Sequence, residues 1–118
     1  MATYATQVTY KVNDRKPDLV MHVFTKETNA ARVLTGATNL QFYLYDLDNG
    51  SFKLEDDTNG VNFSDAANGE LTKEWQSADL NEVGRFAAYF TYEIGANLTE
   101  TTSAVEINVK SPWEVMEN

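Results

Sequence analysis

The chain has no cysteine, one histidine, two prolines, and nine basic residues against eighteen acidic ones. Each shortage closes a class of function. Without cysteine there is no disulfide scaffold and no thiolate zinc site, so a packed core or neighbouring chains must supply the stability. His22 has no second imidazole with which to build a histidine metal site, and acid–base chemistry centred on it would lack the usual partner. With Leu19, Met21 and Phe24 around it, His22 fits a core edge or a surface better than a reaction centre. A Ser–His–Asp triad would need a nucleophile elbow, and the sequence has none. There is no glycine-rich phosphate loop, and the basic residues are scattered. A formal net charge of −9 repels nucleic-acid phosphates and anionic lipid. The apolar runs are far shorter than a membrane span. Met1-Ala2-Thr3-Tyr4 is neither basic nor apolar in the manner of a secretory leader, so a soluble protein made in the cytoplasm is expected.

What is present is enough for one core: 118 residues, 42% apolar and 12% aromatic. Period-two alternation dominates, and no long segment keeps a helical period. Tyr4, Val8, Tyr10 and Val12 share one parity near the start. Leu19, Met21 and Val23 alternate with Val20, His22 and Phe24, which predicts a strand covered on both faces. Leu40, Phe42 and Leu44 oppose Tyr43 and Tyr45, while Phe52 and Leu54 form a short run beyond Asn49-Gly50. That Asn-Gly pair predicts a tight two-residue turn and a hairpin over 44–54, since both residues tolerate positive φ. Leu71 and Trp75 share a face, and Trp75 has the setting of a core tryptophan. Ser77 to Leu80 is read as one helical turn capped by Ser77. The strongest strand runs from Arg85 to Ile94, and Val105, Ile107 and Val109 close the pattern. Seven to nine short strands with turns at close spacing predict an all-β, immunoglobulin-like antiparallel β-sandwich with N- and C-terminal extensions. The boundaries are a strand-like arm at 1–12, the sandwich at 13–110 and a tail at 111–118.

Asp46, Asp48, Asn49, Glu55, Asp56 and Asp57 gather oxygen ligands around one hairpin. An EF-hand loop beginning at Asp46 would need glycine at its sixth position, where Ser51 stands, so the register fails. Turn-tip acids also guard sheet edges. No metal, cofactor or catalytic residue is assigned. Tyr43, Tyr45, Tyr89 and Tyr92 could present an aromatic platform, but half of them are expected to pack inward. At the two ends, Tyr4, Val8, Tyr10, Trp113, Val115 and Met116 are the candidate partner-binding residues. They are read either as docking arms, the first by strand addition, or as segments that fold back on their own domain.

Leu34-Thr35-Gly36-Ala37-Thr38 followed by Leu40-Gln41-Phe42-Tyr43-Leu44 resembles a block of phage immunoglobulin-like domains, those at the N-terminus of baseplate upper proteins of tailed phages. Gly69 to Trp75, Gly84 to Phe90 and Ile107-Asn108-Val109 look like three further strands of that family, and Asp14 to Val23 like its opening strand. The likeness spans about Asp14 to Val109. Val33 and Val83 depart from it where the family favours an acidic residue and proline. The resemblance implies a non-enzymatic structural protein of the virion, made in the host cytoplasm. It would be a multi-copy accessory module docking on capsid, tail, baseplate or neck proteins, with no cofactor; the net charge argues against a nucleic-acid or membrane partner. The alternative is a glycan-binding module for adhesion to a cell surface.

Overall fold

Alternation of apolar side chains builds the molecule around one long strand. The computed structural model describes residues 7–25, 30–95 and 98–113, and holds nine strands among them. These are β1 (Gln7–Lys11), β2 (Leu19–His22), β3 (Thr38–Asp46), β4 (Ser51–Asp57), β5 (Val61–Asp65), β6 (Glu70–Lys73), β7 (Gly84–Ile94), β8 (Leu98–Thr101) and β9 (Val105–Lys110). The larger sheet runs β1-β9-β7-β3-β4, with β8 also on β7; the smaller runs β2-β6-β5. The two pack as a β-sandwich of immunoglobulin-like character.

β7 organises the larger sheet. One edge pairs with β3, placing Phe42 opposite Phe90 and Leu44 opposite Ala88. The other edge pairs with β9 near its start and with β8 near its end. Thr102 bridges the gap between those two strands: its N–H donates to the Phe90 carbonyl and its hydroxyl accepts from the Phe90 N–H, both at 3.0 Å. Inward residues of β3, β7 and β9 meet Leu19, Met21, Leu71 and Trp75 from the other layer, and all are buried. Trp75 takes edge-on contacts from Tyr10 at 5.5 Å and Phe42 at 5.6 Å, the geometry that aromatic quadrupoles favour.

Several expectations need correction. The sandwich is not wholly antiparallel, because β1 pairs with β9 in parallel, Val8 opposite Ile107 and Tyr10 opposite Val109. Over residues 7–11 the supposed arm is therefore a strand of the larger sheet. β2 is covered on one face only: Leu19 and Met21 are buried, whereas Val20 and Phe24 are exposed. The turn at Asn49-Gly50 has four residues, since Asp46 pairs with Ser51. The Asp46 carboxylate accepts the N–H groups of Asp48 and Asn49 at 3.0 Å, and these bonds support the longer loop. Residues 77–80 form a turn rather than helix, with Ala78 at φ 72°. The Asp79 carboxylate, not Ser77, accepts the Gln76 N–H there, at 2.7 Å. Gly69 is required: at φ 70° an added Cβ would lie 2.6 Å from the Arg32 carbonyl oxygen.

Candidate binding face and interior lysine

On β3 and β7 the odd-numbered residues point away from the core. Register sets Tyr43 opposite Tyr89, and Tyr45 opposite both Ala87 and Phe52. Tyr43 and Tyr89 stack with ring centroids 4.9 Å apart and planes within 9°. Phe52 stands edge-on to Tyr43 at 5.9 Å and to Tyr45 at 5.0 Å. The rings form one row, Tyr89–Tyr43–Phe52–Tyr45, across the outer face of the larger sheet. The tyrosines are half-buried against each other, and Phe52 is 40% exposed.

Two irregularities of β4 shape this row. Leu44 faces Leu54 while Tyr45 faces Phe52, so Lys53 is an extra residue. That bulge turns Phe52 outward and Leu54 inward although the two share a parity. A second shift, between Phe42 and Leu44, carries Asp56 at φ 52°, and the Tyr43 hydroxyl donates to its carboxylate. This bond raises the Tyr43 pKa, with burial second. Burial raises that of Tyr89, and the negative charges of Glu55 and Asp56 add to it. Both hydroxyls therefore remain protonated donors at neutral pH beside a carboxylate rim. Of the four tyrosines considered for a platform, Tyr92 is buried instead, and Phe52 takes its place.

The proposed end residues separate. Tyr4, Val115 and Met116 lie outside the described residues. Val8 packs against the core, and Tyr10 is buried with its hydroxyl donating to the Pro17 carbonyl at 2.9 Å. Tyr10 is closed to a partner and Val8 is half-buried, because the parity that suggests a strand also fills the inner face of their own sheet. Trp113 is 83% exposed and remains open to contact.

The acidic hairpin is occupied by its own chain. Asp46 caps its turn, Asp48 pairs with Arg85 at 3.3 Å, and Asp57 pairs with Lys73. His22 lies at the surface, 3.1 Å from Glu70. It borders a groove of about 900 Å³ lined by Met21, Phe24, Arg32, Tyr92 and Glu100 among others. Arg32 meets Glu100 at 2.7 Å, and the Tyr92 hydroxyl donates to Glu100 at 2.8 Å. Burial, then the bond to Glu100, pushes the Tyr92 pKa up to about 12. The same pairings hold the Glu100 carboxyl below its ordinary range, the Tyr92 bond first.

Sequence reasoning passed over Lys73, whose side chain is fully buried. Its Nζ lies 2.6 Å from Asp57 Oδ2 and 3.0 Å from Asp79 Oδ2. It also donates to the Asn59 carbonyl at 2.6 Å. The rings of Phe42 and Trp75 stand 5.6 and 5.9 Å from Nζ. A signal existed, since Leu71, Lys73 and Trp75 share one parity and the flanking two are core. Its charge argues against burial unless partners are supplied, and those come from distant positions.

The chain matches no known protein-family model, and no curated protein matches it significantly.

Proposed function

We propose that the chain is a non-enzymatic binding module, an accessory domain of a phage particle that docks on a virion protein through the outer face of its larger sheet. The aromatic row Tyr89–Tyr43–Phe52–Tyr45 is the observation that carries this reading. Tyrosine and phenylalanine supply large, rigid contact area and are enriched at the centres of protein interfaces. Exposed apolar groups gathered in one place mark a contact surface more often than isolated ones do. The net charge of −9 favours a partner with a basic rim over nucleic acid or anionic lipid. Resemblance to phage immunoglobulin-like domains supplies the particle, as capsid decoration or as a tail, baseplate or neck component, and suggests many copies in symmetric contacts. Trp113 offers a second contact.

The test is co-sedimentation with purified particles. Wild-type protein should bind at fixed stoichiometry, and Phe52→Ser combined with Tyr89→Ala should remove binding while the fold persists. Binding unaffected by both changes would rule out this face. A second reading rests on the flat Tyr43–Tyr89 stack beside the Asp56 and Glu55 carboxylates, an arrangement suited to sugar rings and their hydroxyls. A glycan binder would show weak, saturable affinity for free oligosaccharide in isolation, lost in Tyr89→Ala; a docking module would show none.

A further inference from the structure

Lys73, Asp57 and Asp79 are arranged for more than an ion pair. Asp57 ends β4 in the larger sheet, Lys73 ends β6 in the smaller, and Asp79 lies in the turn before β7. All three side chains are largely or wholly out of solvent. One ammonium would suffice to balance one carboxylate; a second carboxylate among Phe42 and Trp75 adds a buried negative charge, which is costly. Each group is also held in place. The Asn59 N–H donates to Asp57 Oδ1 at 3.2 Å, and the Gln76 N–H donates to Asp79 Oδ2 at 2.7 Å. Nζ sits between the two carboxylates, within hydrogen-bond distance of both.

We infer that Lys73 and Asp57 join in a self-formed amide cross-link, with Asp79 as the proton carrier. Moving one proton along the 2.6 Å hydrogen bond from Nζ to Asp57 Oδ2 turns the ion pair into an amine and a carboxylic acid. The transfer removes two buried charges at once and needs no water. Nζ then attacks Asp57 Cγ. The N–C bond forms as the carbonyl π electrons move onto Oδ1, where the Asn59 N–H meets the developing charge. Asp79 accepts a proton from the nitrogen and delivers it to Oδ2, which leaves as water while the carbonyl re-forms. One amide and one water result, Asp79 ends as it began, and nothing is oxidised or reduced. The bond ties one sheet to the other across the core, in a chain that has no cysteine to do so.

Intact-mass measurement of the wild-type chain, purified and then denatured, tests this directly. The expected mass is lower than the sequence mass by one water. Trypsin should fail to cut after Lys73, releasing residues 54–85 as one peptide in which Asp57 and Lys73 are joined. Lys73→Met and Asp79→Asn should each restore the full mass. A wild-type chain at full mass overturns the inference, and so does a water-deficient chain that is still cut after Lys73. Loss of water persisting in Asp79→Asn would remove Asp79 from its role. The main reading is taken on the wild-type protein, so it does not depend on whether a variant folds.

Discussion

The two faces of the larger sheet are both aromatic, yet they do opposite things. Inside, Phe42, Phe86, Phe90 and Tyr92 are closed off by the smaller sheet and by Trp75. Outside, Tyr43, Tyr45 and Tyr89 come from the same strands, one residue out of step, and stay half-exposed beside Phe52. Composition does not separate the two sets; what lies opposite does. Burial of the first set holds the sheets together. The second set makes ring contacts within its own row that contribute much less, and part of its area faces solvent.

That contrast can be broken at graded cost. Trp75→Ala should destabilise by about 3–5 kcal/mol in urea titration, because it empties the space between Tyr10 and Phe42. A variant that melts like the parent would place Trp75 outside the core. Next comes the buried Tyr92 hydroxyl, raised from an ordinary 10.0 to about 12. A raised phenol pKa means the unfolded chain ionises first, so stability is intact below pH 10 and falls as pH climbs toward 12. The loss should reach about 2–3 kcal/mol across that window. Tyr92→Phe should flatten the alkaline slope, and an unchanged slope would assign it elsewhere. On the outer face Tyr89→Ala should cost about 0.5–1.5 kcal/mol for the lost stack, measured as a small midpoint shift. Phe52→Ser should have the least effect on folding, within about 0.5 kcal/mol, yet it should abolish docking. A large folding defect from Phe52→Ser would mean that the outer row is structural.

Much of this fold was legible from alternation. The strands around Phe42, Phe90 and Ile107, the hairpin over 44–54 and the core place of Trp75 follow from parity and from Asn49-Gly50. Alternation gives no strand direction, so it does not reveal the parallel pairing of β1 with β9; of the two readings open for the N-terminal segment, Val8 and Tyr10 follow the one that folds back on its own domain. Parity also fails across a bulge, so alternation groups Phe52 with Leu54 rather than with Tyr45. The burial of Lys73 is not legible because a charge in a strand suggests solvent, and its partners lie 16 and six residues away in the chain. Which side of β2 is covered also depends on the other layer, and Val20 and Phe24 show that only one side is.

The claim that the outer aromatic face is the docking surface is tested most directly by electron cryo-microscopy of the assembled particle. The account predicts the sandwich in many symmetric copies, with Tyr43, Phe52 and Tyr89 buried against a virion protein. Particles that lack the domain, or that carry it with this face turned to solvent, would contradict it.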